Sequence, residues 1–385
     1  VAARLRPNRQ HDYLACSLQG GGALGTYQVG VLKALQEANY FPDWFVGTSI
    51  GAINAALAAG NPPEDRFQKM LSFWESVTTP TFFDVDAWHN DHAGRRWEHF
   101  MSAQSALWFG QPGFFTPRYP QPELSLENAI DKISYYDTST LKGTLERLID
   151  FDRINAGETR LSVGAVEVCS GAVVYFDSAK ETLGPEHIMA SGALPPGFPA
   201  IEIEGKFYWD GGISSNSPIS YVLSQNPSKT LLCFMVHLFN SLGLKPSSMD
   251  EVLKRKKDIE YSSRFVEIVN MHKEIHSLKY RIKLLSEFIP EQAKEKNPEV
   301  EDCLSCGCDK TVALVRFLYP GDDTDLASKD YEFSRKSVME RIAAGYRDGR
   351  RGLEKSPWLA EIPELSGIEV YDMAVTPTHL TGVLS

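Results

Sequence analysis

Apolar positions in the first sixty residues alternate between two patterns. Tyr13-Leu14-Ala15-Cys16-Ser17-Leu18 is a short apolar run that stops at glycines, as a buried strand does. After Gly20-Gly21-Gly22 the spacing turns helical: Tyr27, Val31 and Leu35 recur at four-residue intervals, with Leu32 on the same face. A second run, Trp44-Phe45-Val46, ends at Gly47 and is followed by Ile53, Leu57 and an alanine-rich helix up to Gly60. Strand, glycine turn and helix thus occur twice, which predicts a βαβ unit and a parallel sheet. Further strands are expected at 161–168, 172–176, 201–203, 207–209, 231–237 and 311–318, with an amphipathic helix near 331–351.

Two stretches break this rhythm. Residues 79–122 are rich in proline and aromatics (Trp88, Trp97, Trp108, Phe109, Phe114, Phe115, Tyr119) and show few helical or strand periods. They read as a long loop, of a kind more often functional or mobile than filler. From Ser247 to Ile289 there is neither Gly nor Pro, which predicts a long helix over 247–289, or a helix pair. Within it Ile268, Met271, Ile275, Leu278, Ile282, Leu285 and Ile289 alternate three- and four-residue spacings, a heptad seam. The seam either packs on the chain's own core, the favoured use, or pairs with a second chain, so a homodimer through 268–289 is a candidate assembly. Lys254-Arg255-Lys256-Lys257 opens this region, but Asp258, Glu260, Glu267 and Glu274 leave little positive excess. A solvated face is the default there, and contact with an anionic membrane is the alternative.

Composition narrows the class. With 385 residues, 43% hydrophobic and 23% charged, the chain can hold one large α/β domain with an appendage, and disorder is excluded. A formal net charge of −11 argues against a nucleic-acid partner, which would require clustered Lys and Arg. No run approaches the roughly 18–20 apolar residues of a membrane-spanning helix. Residues 1–12 form a polar, basic N-terminal extension without a signal-like apolar stretch. Six scattered cysteines do not make a disulfide scaffold, so a reducing, cytoplasmic setting is expected, with peripheral membrane contact as a variant.

Three motifs carry chemistry. Gly47-Thr48-Ser49-Ile50-Gly51 stands between a strand and a helix, the setting in which Gly-x-Ser-x-Gly exposes a nucleophilic serine at the carboxyl end of a sheet. Gly47 and Gly51 let neighbouring backbone approach, and the Ile50 N–H at the helix start faces a reacting carbonyl. Gly20-Gly21-Gly22-Ala23-Leu24-Gly25 also lies between strand and helix, where consecutive glycines can converge amides on an oxyanion. As a string it also satisfies the dinucleotide pattern. However, the next strand ends in the serine turn instead of an acidic residue, and no Walker lysine is present. Asp210-Gly211-Gly212 follows a strand directly; it is either a third site element or an ordinary Asp turn.

In this order, and with Ala190-Ser191-Gly192-Ala193-Leu194-Pro195-Pro196-Gly197-Phe198-Pro199 before the aspartate, these motifs resemble the patatin-like phospholipases over roughly residues 13–236. The resemblance implies a three-layer α/β/α fold with a mainly parallel sheet: a catalytic domain over 13–240, and a helical C-terminal extension over 241–385 packing on it, with a strand and helix at 311–351. It also implies a Ser49–Asp210 dyad, with Asp210 as general base, and the Gly20, Gly21 and Gly22 amides as oxyanion hole. No cofactor is expected. A histidine triad is the lesser alternative, with His187 and His237 nearest in sequence. One departure stands out: many relatives carry Arg or Lys where this chain has Leu24.

The family's substrates are phospholipids, lysophospholipids and other acyl esters, so such an ester is the expected partner. The 79–122 stretch is then a candidate lid or acyl-chain wall, with Trp108, Phe109, Phe114 and Phe115 as candidate chain contacts. Acyl transfer through the same acyl-enzyme, and a lipid-binding scaffold without turnover, are the competing functions. Cys303, Cys306 and Cys308 cluster without a fourth ligand nearby, so free thiols are expected in place of a metal site.

Overall fold

In the computed structural model, β1 (Tyr13–Leu18) runs parallel to β2 (Trp44–Thr48), with Ala15 opposite Trp44 and Leu18 opposite Gly47. Helix α1 (Thr26–Glu37) makes the crossover, and α2 (Ile50–Ala59) leaves the end of β2. The structure describes residues 11–78, 92–124, 128–225, 230–262, 264–290, 298–363 and 365–373. A short antiparallel pair, β3 (Thr116–Pro117) and β4 (Tyr136–Asp137), stands apart from the main sheet. The remaining strands are β5 (Arg160–Glu167), β6 (Val173–Asp177), β7 (Ile201–Ile203), β8 (Lys206–Asp210), β9 (Leu231–His237), β10 (Val312–Leu318) and β11 (Ile368–Asp372). They complete a 9-stranded sheet in the order β11-β10-β9-β1-β2-β5-β8-β7, with β6 also on β5. From β11 to β5 all pairings are parallel, and β6, β7 and β8 pair antiparallel.

Strand alternation separates two cores. Leu14, Cys16 and Leu18 of β1, with Leu232, Phe234 and Val236 of β9, face the helices α1 and α2. Ala15, Leu231, Cys233 and Met235 face the other way, onto Ile219 and Val222 and onto Phe265 and Val269. Helices therefore cover both faces, which is why the central strands read as nearly unbroken apolar runs. Each fully buried large side chain, such as Phe45 or Phe234, contributes roughly 1.5–3 kcal/mol. Helix α3 (Arg66–Ser76) adds Met70, Phe73 and Trp74 to the first core.

One expectation is corrected and two are refined. The 79–122 stretch is not one long loop: it contains helix α4 (His92–Phe109). This helix is inverted in pattern, burying Gly94, His99, Ala103 and Ala106 while Trp97, Phe100 and Trp108 face solvent, so apolar periodicity concealed it. Residues 79–91, including Trp88, lie outside the described residues, as do 1–10 of the N-terminal extension. After α5 (Ser139–Leu148), α6 (Phe151–Asn155), α7 (Pro185–Ser191) and α8 (Ile219–Ser224), the second of the two readings of 247–289 is the one built, a helix pair, α9 (Met249–Tyr261) and α10 (Phe265–Phe288). Ser262 Oγ donates back to the Ile259 carbonyl at 3.0 Å, the local competition that lets serine end a helix without Gly or Pro.

Finally, the region after 240 is not merely a helical extension laid on the core. It supplies β10 and β11 to the same sheet, and its helix Arg335–Lys355 packs backbone to backbone on α1. A Cβ at Gly345 would stand 2.0 Å from the Tyr27 carbonyl oxygen, and one at Gly30 would stand 2.0 Å from that of Ile342. No helix among the described residues is long and apolar enough to cross a membrane.

Candidate active site

Ser49 occupies the turn between β2 and α2 with φ 56° and ψ −126°, a conformation that costs a non-glycine residue of order 1–3 kcal/mol. Its surroundings hold it there. The Ser49 N–H donates to the Ser191 carbonyl at 3.1 Å and to Ser191 Oγ at 3.0 Å, and Ser191 Oγ in turn donates to the Gly164 carbonyl at 2.6 Å. The flanking glycines are sterically required. A Cβ at Gly47 would lie 2.3 Å from the Gly51 oxygen, and one at Gly51 would lie 2.2 Å from the Leu18 oxygen.

Asp210 reaches the serine through sheet register. One edge of β5 is shared: its first half pairs with β2 (Thr48 opposite Gly164) and its last residues pair with β8 (Ala165 opposite Asp210). The opposite edge holds β6. Thr48 and Asp210 therefore end side by side, and Ser49 and the Asp210 carboxyl line the same cavity, close enough for the serine side chain to act on the carboxyl. Asp210 Oδ1 also accepts from the Gly212 N–H at 2.7 Å, and a Cβ at Gly211 would stand 2.5 Å from the Gly164 oxygen. Burial pushes the Asp210 pKa up to about 7, against the opposing pull of the neighbouring Ser49 side chain and the Gly212 N–H.

The glycine loop sits beside both. Gly20 and Asn216 lock together, the Gly20 N–H donating to the Asn216 carbonyl at 3.2 Å and Asn216 Nδ2 donating to the Gly20 carbonyl at 3.1 Å. This corrects the oxyanion set: the Gly20 amide is already spent. The Gly21, Gly22 and Ile50 amides have no protein acceptor among the described residues. Gly22 takes φ +55°, and a Cβ there would lie 2.0 Å from the Asp330 carbonyl oxygen, so a segment beyond residue 320 braces the loop. Leu24 is fully buried in the 3-10 turn Gly22–Gly25 and does not line the cavity.

These groups open on a cavity of about 290 Å³ lined largely by apolar and aromatic side chains. Phe114 and Phe115 are in its wall, packed on Phe198 with ring centroids 5.8 and 5.2 Å away. Trp108 and Phe109 are not. They are 66% and 79% exposed at the end of α4, because it is Ala106 and Leu107 of that helix that turn inward to the cavity. Tyr261, Asp330, Tyr331 and Phe333 complete the wall from the C-terminal region. Sequence reasoning missed Ser191 as a clamp, although its segment had been singled out. It also missed Asn216, six residues past Asp210, and nothing local marks Tyr261 or Asp330.

Among the described residues no histidine lines the cavity. His187 Nδ1 accepts the Gly184 N–H at 2.9 Å within its own helix start. His237 is buried with Nε2 3.3 Å from Ser217 Oγ, and burial drives its pKa down to about 3. Cys303 and Cys306 are exposed free thiols and Cys308 is part-buried; among the described residues no cluster of three or more His, Cys, Asp or Glu is arranged to hold a metal ion.

The geometry defines a serine turn, a buried carboxylate and two glycine amides without a protein acceptor among the described residues, at one end of a mainly parallel sheet. The family of patatin-like phospholipases matches residues 16–223, and a second family described as patatin phospholipase matches residues 259–365. The chain belongs to the patatin-like phospholipase family. It is 62% identical over 42 residues to lysophospholipase nte1 of Aspergillus terreus, covering 11% of this chain and 3% of that protein. It is 35% identical over 83 residues to a patatin-like phospholipase domain-containing protein of Chaetomium globosum (22% and 9%). With mouse patatin-like phospholipase domain-containing protein 6 it shares 41% over 66 residues (17% and 5%). The matches thus span less than a tenth of these relatives' length. The crystal structure of VipD from Legionella pneumophila aligns with 87% of this chain and 67% of that one, at a TM-score of 0.30 and 14% identity.

Proposed function

We propose that the chain hydrolyses carboxylic esters of membrane lipids through a Ser49–Asp210 dyad. The observation that carries this is Ser49, on its strained turn, set beside a buried carboxyl in the wall of one aromatic cavity by the register of β5. Ionised Asp210 takes the hydroxyl proton as Oγ attacks the ester carbonyl, and the resulting oxyanion accepts from Gly21, Gly22 and Ile50 N–H. Collapse breaks the ester C–O bond, with the Asp210 proton passing to the leaving alcohol. Water, deprotonated by the same carboxylate, then attacks the acyl-enzyme, and the proton returns to Ser49 as the fatty acid leaves. An alcohol in place of water would give acyl transfer, which product analysis with added acceptors separates.

Access from a bilayer is part of the proposal. Trp97, Trp108 and Phe109 are exposed on the helix whose Ala106 and Leu107 enter the cavity wall, a disposition suited to interfacial docking. A fluorophosphonate probe tests the chemistry: labelling should map to Ser49 and vanish in Ser49→Ala. Labelling elsewhere, or undiminished in that variant, refutes the dyad.

A further inference from the structure

The heptad seam of α10 does not face the chain's own core. The helix buries Phe265, Val269 and His276, which lie on one edge, while Met271, Leu278 and Leu285 are 52%, 59% and 62% exposed on another. Ile275 is 42% exposed, and Ile268 and Ile282 are half-buried at the margin between the two edges. The favoured intramolecular use of the seam is therefore not the one built.

We infer that α10 pairs with a second copy of this chain as a parallel two-stranded coiled coil. With Ile268 as a heptad a position, Ile275 and Ile282 are also a, and Met271, Leu278 and Leu285 are d; Ile289, where the backbone turns extended, ends the pattern. β-Branched residues at a with leucine at d are the combination that selects two parallel strands. The flanking charges fit the same occupant. Glu267 and Glu274 fall at g, facing His272 and Lys279 of the partner subunit at e, so each crossing brings an acid to a base. A bilayer is not favoured at this edge, because Glu267 and Glu274 offset Lys279 and Arg281 at the flanking positions and leave no positive excess to meet anionic headgroups. From Ile268 to Leu285 the seam runs about 26 Å, with successive a and d layers available.

Light scattering on the full chain tests this, with an Ile275→Glu, Leu278→Glu double variant that alters only exposed side chains. The unsubstituted chain should have twice the mass of one chain, and the double variant the mass of one, with unchanged far-UV circular dichroism and unchanged hydrolysis of a short soluble ester. Leu278→Cys, with Cys169, Cys303, Cys306 and Cys308 changed to serine, should cross-link on oxidation, since parallel pairing brings the two d positions within disulfide reach. A monomeric unsubstituted chain overturns the inference, as does a dimer that survives the double variant. A dimer in which Leu278→Cys does not cross-link overturns the parallel arrangement. Loss of binding to phosphatidylserine vesicles in the double variant, with a monomeric parent, assigns the face to a membrane instead and also overturns it.

Discussion

Replacing Asp210 by Asn should cost activity and add stability, with the stability gain confined to one pH range. Burial raises the Asp210 pKa from 3.8 to about 7. In that interval the folded chain keeps a proton that the unfolded chain has released, so stability falls as pH rises from about 4 to about 7 and stays lower above it. At about 1.36 kcal/mol per pH unit, the full loss is about 4 kcal/mol. Asparagine does not titrate, and its Oδ1 can still accept from the Gly212 N–H. Urea unfolding of parent and variant across a pH series should therefore give equal stabilities near pH 4 and a variant more stable by about 4 kcal/mol near pH 9. Over the same range the parent's kcat/KM should rise with pH to a plateau, with a midpoint near 7 set by the ionised base. The variant's turnover should fall by about 10²–10⁴. A stability difference that does not vary with pH, or a less stable variant at alkaline pH, would refute the assignment of burial as the dominant cause.

Ser191→Ala removes both the Oγ that accepts the Ser49 N–H and the donor to Gly164, leaving that buried carbonyl without this bond. Unfolding should show a loss of about 1–3 kcal/mol, and steady-state kinetics a lower kcat with KM little changed. Leu24→Lys restores the cation common among relatives, but here into a fully buried site, so thermal melts should report about 3–5 kcal/mol of destabilisation. An unchanged melting temperature would mean that the side chain escapes to the cavity or to solvent. Serine at Trp97, Trp108 and Phe109 together should lower vesicle flotation and hydrolysis of bilayer phospholipid by about tenfold or more, while a short soluble ester is cleaved as before. Equal loss on both substrates would sink the docking role.

The parts of the site that local sequence controls were legible. The serine turn, its glycines and the Asp210 turn follow strands whose apolar runs announce themselves, and strand-to-turn register is a short-range property. Contributions from distant segments were not. Asn216 consumes the Gly20 amide, and the Asp330 carbonyl braces Gly22, through contacts across 196 residues in the first case. No periodicity encodes such meetings. Helix α4 was missed for a different reason: it packs small residues inward and presents its large ones, the reverse of the pattern by which surface helices are recognised. Ser262 ends α9 by hydrogen bonding back to Ile259, which Gly and Pro content does not register.

Strand β5 acts as a ruler for the chemistry. Gly164 carries the serine strand and Ala165 carries the aspartate strand, so the gap between nucleophile and base is measured by a single peptide unit. The polypeptide between residues 106 and 141, which builds part of the cavity wall, takes no part in this register and can change in composition without moving either group. Substrate range can therefore drift in evolution, or be redesigned, while reactivity stays calibrated; conversely, a small shift of β5 mis-sets both partners at once.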